Sequence, residues 1–201
     1  MPRTKEAFAS MRETTRQKIE MAALSLFARK GLSVTVSEIA QAAGVSKGLL
    51  YSHYPSKEAL IAELARQAVT ISAQSIQGAV MADGAADVKI AGISAVMCDM
   101  LQAENHPGTH YFMLMIQIGM SGFPMEDVLY HGMVLPNPIE SLGQIIAAGQ
   151  DEGTVIQGDP TQLATLFWAS IQGLCCYVMT GMPLPICSST VAGILLKERT
   201  L

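Results

Sequence analysis

The sequence predicts an all-α protein, with a small N-terminal three-helix unit followed by a larger helical body, and three observations carry that expectation. Apolar residues recur with helical period through most of the 201 residues. Glycines, prolines and capping hydroxyls fall between the periodic segments, where helices must start and stop. No alternating strand pattern competes with them, and no internal repeat or low-complexity tract breaks them up. Half of the residues are hydrophobic, which supports a substantial core and excludes general disorder.

Ile19, Ala22, Ala23, Leu26 and Phe27 share one helical face, and Gly31 ends that helix. Thr35 with Glu38 three residues on is a capping box, opening a short helix of Val36, Ile39, Ala40 and Ala43 that Gly44 stops. Only Gly44-Val45-Ser46 separates it from the next segment, Lys47 to Tyr54, which Ser46 caps. Two short helices joined so tightly must cross steeply, as in a helix-turn-helix, with Leu50 and Tyr54 packing inward. Pro55 cannot continue the helix, and Ser56 starts a long one through Leu60, Ile61, Leu64 and Ala68 toward residue 80. Beyond Asp83-Gly84, helices are expected at 85–103, 108–120, 124–134, 137–151, 160–181 and 188–198. The breakers between them include Asn105-His106-Pro107-Gly108, Pro136-Asn137-Pro138 and Met182-Pro183-Leu184-Pro185.

The net charge of -4 hides a division. Residues 1–66 hold ten Lys/Arg against six Asp/Glu, a balance of +4, which leaves three basic and eleven acidic residues in the remainder, a balance of -8. Such asymmetry suits a cationic module that meets phosphate, attached to an acidic body. Leu163 to Met182 is uncharged and about as long as a bilayer is thick, but Ser170 and Gln172 sit near its middle and no basic cluster flanks it closely, so a core helix is expected there. No apolar run follows Met1-Pro2-Arg3-Thr4-Lys5-Glu6, so no secretory signal is read and a cytoplasmic location is expected. Cys98, Cys175, Cys176 and Cys187 show neither a CxxC pair nor zinc-site spacing and are expected to be reduced core residues.

The stretch from Arg16 to Leu64, above all Val36-Ser37-Glu38-Ile39-Ala40-Gln41-Ala42-Ala43-Gly44-Val45-Ser46-Lys47-Gly48-Leu49-Leu50-Tyr51-Ser52-His53-Tyr54-Pro55, resembles the DNA-binding domain of the tetracycline-repressor (TetR) family. The resemblance implies a DNA-binding domain at residues 1–60 and a helical ligand-binding and dimerisation domain at 61–201, with Gly149 to Gly153 and Gly158-Asp159-Pro160 similar to the junction before the dimerisation helices. It further implies a transcriptional regulator, a repressor that leaves a palindromic double-stranded DNA operator when a small-molecule effector binds. On that reading Lys47 to Tyr54 enters the major groove. The helix N-terminus offers free N–H groups and partial positive charge, and Ser46, Lys47 and Gly48 stand there with little bulk. Lys47 suits guanine O6 or N7, while Leu49, where the family usually has Thr, suits an apolar contact such as a thymine methyl. Tyr51, His53 and Lys57 match positions that grip phosphate in the family, and Arg16, Thr35 and Ser37 are further candidates. Plainer roles stay open at this stage: Tyr51 partly in the core, His53 and Lys57 on the surface, Thr35 as a cap alone.

One module covers few bases, so two must act together about one helical turn apart, which makes a homodimer part of the expectation. In the 160–181 helix, Leu163, Leu166, Phe167, Ile171, Leu174, Cys175 and Val178 form one stripe and Trp168, Gln172, Cys176 and Met179 a second. One face is needed inside and the other for a partner, and Leu163, Phe167, Ile171, Leu174, Cys175 and Val178 are the candidate dimer contacts, with the 188–198 helix completing a four-helix bundle by resemblance. Methionine is flexible and polarisable, so Met97, Met100 and Met113 with Phe112 and Trp168 are candidate walls of a pocket for a hydrophobic or aromatic effector, and His110, Gln117 and Gln172 its polar groups.

His106 and His110 after Cys98-Asp99 raise a metal site, but Pro107-Gly108 interrupts the helix between the imidazoles, so neither metal nor cofactor is expected. An enzyme built on Cys175, Cys176 or a histidine lacks a neighbouring base and orienting group, so no catalysis is expected. The remaining alternative is a ligand-binding or scaffold protein that keeps this fold without binding DNA.

Overall fold

The computed structural model describes residues 5–103, 107–124 and 137–197. Its helices are α1 (Lys5–Lys30), α2 (Val36–Ala43), α3 (Lys47–His53), α4 (Lys57–Met81), α5 (Ala86–Gln102), α6 (Pro107–Ser121), α7 (Pro138–Asp151), α8 (Pro160–Met179) and α9 (Ser188–Ala192). Among the described residues the sole β-type pairing is one antiparallel bridge between Val155 and Leu196. The all-α expectation therefore holds. The expected helix at 124–134 lies outside the described residues, apart from its first position.

The chain divides into two compact units, Met1–Ala68 with His110–His131, and Val69–Thr109 with Gly132–Leu201. In the first, Ile19, Leu24 and Phe27 of α1, Ile39 of α2, Leu50 of α3, Leu60 and Leu64 of α4, and Leu114 and Ile118 of α6 make one core. Burial of each such side chain stabilises the fold by about 1.5–3 kcal/mol relative to exposure. The caps work as the residue types require. Thr35 Oγ1 accepts from the Glu38 amide while the Glu38 carboxylate accepts from the Thr35 amide, and Gly44 ends α2 in the left-handed region at φ 66°. α1 begins well before its apolar stripe. Its first half buries little, and its helical state rests on local pairs such as Arg16 with Glu13 at 3.1 Å.

In the second unit α5, α7, α8 and α9 pack on one another. Ile90, Cys98 and Leu101 of α5 meet a core that includes Leu142 and Ile146 of α7 and Ala164, Phe167, Ile171 and Cys175 of α8. The apolar run of α8 is thus accounted for on one face by packing within the unit. Cys98 and Cys175 are core residues as expected, whereas Cys176 and Cys187 are exposed. Glu152, just past α7, accepts from the Ala86 amide at 3.0 Å and so caps α5, whose own N-cap residue has no side chain to do it. The expected 188–198 helix is corrected: α9 stops at Ala192. Leu196 instead bridges to Val155, with the Lys197 amide donating to the Thr154 carbonyl at 3.0 Å and the Ile156 amide to the Leu195 carbonyl at 2.9 Å. Val191, Ala192 and Leu195 are still buried, so the periodicity reported burial correctly and backbone pairing overrode the helix.

Candidate functional site

The N-terminal surface is organised by α3. Ser46 stands at its N-cap, Oγ accepting from the Leu49 amide at 3.1 Å, which satisfies one of the free N–H groups and starts the helix sharply. Leu50 is fully buried and Tyr54 nearly so, and these two anchors turn Lys47, Gly48, Leu49 and Tyr51 outward; Leu49 is 42 % and Tyr51 50 % exposed. An apolar side chain and an aromatic ring held in water by a seven-residue helix beside a free-standing ammonium serve no purpose in the unit's own core. Ser52 lies on the same face, unnoticed in the sequence, with its hydroxyl returned to the Leu49 carbonyl at 2.7 Å. His53 is half-buried, and Ser37 is exposed at the start of α2.

Three other candidates have work inside the unit. Thr35 is engaged in the capping box. Lys57 Nζ donates to the Leu32 carbonyl at 2.8 Å, tying the start of α4 to the turn after α1 and leaving two donors unassigned. Arg16 reaches Glu13 at 3.1 Å, Glu20 at 3.5 Å and Glu63 at 3.8 Å. Glu20 is itself buried and accepts from the Tyr54 hydroxyl. Burial, with Glu20 next, pushes that hydroxyl well above its ordinary pKa, and the Glu20 charge raises that of Arg16. This Arg16–Glu20–Tyr54–Glu63 cluster went unseen in the sequence, where only the i,i+4 pairing of Arg16 and Glu20 hinted at it. It fixes α3 against α1 and α4 from behind.

The second unit contains a cavity of about 380 Å³. Ser75, Ala79 and Val80 line it from α4, Lys89, Ile93, Val96 and Met97 from α5, Leu142 and Ile145 from α7, and Trp168 from α8, and it is open to solvent on one side. The indole N–H donates to the Pro138 carbonyl at 3.0 Å, and the ring stands edge-on to Phe167, so its orientation is fixed. Of the expected pocket residues Met97 and Trp168 line this cavity. Met100, His110, Phe112, Met113, Gln117 and Gln172 are not on its lining. Met113 and His110 are buried on α6, Gln117 lies against Gly31, where an added Cβ would come within 3.3 Å of its Oε1, and Gln172 is exposed on α8. Missed in the sequence were the last turns of α4, Ser141 and, most of all, Lys89.

The dimer assignment on α8 also changes. Phe167, Ile171 and Cys175 are fully buried within the monomer, so they cannot meet a partner, and Leu163, Leu174 and Val178 flank them half-buried. The face left in solvent carries Leu166, Ala169, Gln172, Gly173, Cys176 and Tyr177. His106 lies outside the described residues; among the described ones no three His, Cys, Asp or Glu side chains gather as a metal site.

Comparison with known proteins agrees with this architecture. Residues 20–64 match the family described as bacterial regulatory proteins, tetR family. The MbdR regulator from Azoarcus sp. CIB superposes with a TM-score of 0.74 at 20% identity, over 93% of this chain and 100% of that one. The TetR family transcriptional regulator PfmR from Thermus thermophilus gives 0.65 at 23%, over 87% and 92%. A putative transcriptional regulator from Saccharomonospora viridis in complex with choline gives 0.64 at 18%, over 92% and 100%. At such identities the structures speak for the fold, and the matched segment contains the capping box, the glycine turn and the outward face of α3. Residues 20–64 are thus a segment of the tetR regulatory type, and the chain as a whole shares the fold of the compared regulators.

Proposed function

We propose that this chain is a cytoplasmic, homodimeric repressor that holds a palindromic operator through residues 1–60 and leaves it when a small hydrophobic or aromatic effector enters residues 61–201. The observation that carries the reading is the outward face of α3, where Lys47, Gly48, Leu49 and Tyr51 stand free at and beyond a capped helix N-terminus while Leu50 and Tyr54 hold the helix down. That face fits a major groove: Lys47 for a guanine edge, Leu49 for a thymine methyl, Tyr51 and the unassigned donors of Lys57 for phosphate. His53, Ser37 and Thr35 border it, and Arg16 braces it from inside. Two copies are required for a specific site, and the solvent face of α8, with Ala169 and Gly173 giving close approach beside Leu166, supports the pairing. α4 contributes its early residues Leu60 and Leu64 to the first unit's core and its late residues Ala79 and Val80 to the cavity wall. An effector that binds better to one setting of α4 shifts the dimer between DNA-competent and DNA-incompetent forms by its difference in affinity for the two.

The test is affinity for the DNA upstream of the chain's own gene, measured at several salt concentrations. Saturable binding with a steep salt slope is expected. Tyr51→Phe should weaken binding to all sequences alike, while Lys47→Ala should also relax base preference. Absence of salt-sensitive binding to that region refutes the repressor.

A further inference from the structure

We propose that the cavity of the second unit selects amphipathic monoanions, carboxylates with an apolar chain or ring, and that Lys89 is the partner of the anionic group. The inference rests on the reading of this cavity as the effector site and narrows its ligand. Between Arg66 and Lys197 the sequence contains one Lys or Arg, and it is Lys89. That cation stands on the wall of a cavity whose apolar lining includes Ile93, Val96, Met97, Leu142, Ile145 and Trp168.

Lys89 is half-buried and its Nζ donates to the Val80 carbonyl at 2.9 Å, a group at the end of α4 that needs a donor. An ammonium has three donors, so two remain, and no carboxylate among the described residues lies within ion-pair distance. A neutral apolar ligand seated here strips water from those two donors and returns nothing, whereas a carboxylate replaces the lost water with a charge-assisted hydrogen bond. The one carboxylate on the lining, Asp83, is exposed to solvent, where its repulsion is screened. Ser75 and Ser141 supply neutral hydroxyls to the same wall. The volume of about 380 Å³ is ample for a short alkyl chain or a ring with its head group.

Trp168 is the only tryptophan and lies on the cavity, so its fluorescence reports occupancy without reference to DNA. The full-length protein is titrated with octanoate, 1-octanol and octylammonium, which share a chain and differ in head-group charge. Octanoate should bind at least tenfold more tightly than octanol, and octylammonium more weakly than either. Lys89→Met should abolish the preference for octanoate while leaving octanol affinity within about twofold, and Lys89→Arg should retain it, which separates charge from any loss of the Val80 contact. Equal affinity for octanoate and octanol overturns the proposal yet leaves an apolar effector site standing, as does a preference that survives in Lys89→Met. If none of the three changes the fluorescence, both the proposal and the cavity as effector site fall. Release of operator DNA, followed separately, decides the repressor reading alone.

Discussion

Gly149 offers a substitution whose sign the packing decides. It lies in the last turn of α7, and in an open helix Gly→Ala is stabilising by about 0.8–1 kcal/mol. Here an added Cβ would overlap Cγ2 of Val155 and stand 2.9 Å from Cβ of Ala86 and 3.1 Å from Cβ of Val155, against carbon contact distances of ~3.5–4.0 Å. Neither neighbour is free to yield. Val155 is fully buried, its amide and that of Thr154 both donate to the Gly149 carbonyl, and it is bridged to Leu196; Ala86 is 3 % exposed and held by Glu152. Overpacking of this kind costs about 1–3 kcal/mol and occasionally more, so Gly149→Ala should be a net loss of about 2 kcal/mol despite its better helix propensity. For a chain of this size that is a fall in Tm of roughly 4–8 °C at matched protein concentration. Val155→Ala removes the first obstacle, so the double variant should be more stable than the sum of the single losses by about 1 kcal/mol or more. A Tm for Gly149→Ala at or above that of the parent, or strict additivity in the double variant, refutes the claim that this close approach fixes α7 against the start of α5.

The remaining predictions concern both units. Tyr54→Phe deprives the buried Glu20 carboxylate of its hydroxyl donor and should lower the stability of the first unit by about 1.5–3 kcal/mol in urea unfolding, with an unchanged midpoint contradicting the network. The Glu38 carboxyl is held down to about 2, chiefly by the Thr35 amide, then by the Thr35 hydroxyl and Lys30. A depressed carboxyl stabilises above its unfolded pKa, so the advantage of the parent over Glu38→Gln should be full above about pH 5 and shrink as pH falls toward 2; a gap independent of pH would sink this account. Hydrogen bonds from Ser189 and Thr190 lower the exposed Cys187 thiol to about 7, so its alkylation rate should reach half its plateau near pH 7, and Ser189→Ala should move that midpoint up, while Cys175, buried and raised to about 12, stays unlabelled in the folded protein. Leu166→Glu on the solvent face of α8 should raise the dimer dissociation constant at least a hundredfold by sedimentation, and an unchanged dimer would move the interface elsewhere.

The helix-turn-helix was legible because each of its features is local. A capping box, a glycine that tolerates φ 66°, a serine cap and an apolar period all act within four residues of one another, and each agrees with the others. The first half of α1 was not legible, since helix held by i,i+3 and i,i+4 polar pairs leaves no apolar stripe to read. The stretch after Ala192 misled in the opposite sense: buried residues at helical spacing were there, and a distant segment, residues 154–156, claimed their backbone groups.

The cavity wall and the solvent face of α8 were only partly legible, for a common reason. Methionine richness and apolar stripes state that a side chain is buried, and burial alone does not say against what. On α8 the sequence showed two apolar faces, and the larger side chains, Phe167 and Ile171, went to the monomer's own core, where volume must be filled. The face left in solvent has the smaller Ala169 and Gly173, which fill a core poorly, beside Leu166 and Tyr177. Lys89 was the informative residue. A charge cannot be core filler, so the lone Lys89 within an acidic, apolar stretch of 130 residues has to stand at a surface or on the wall of a cavity, and it stands half-buried on the wall described above.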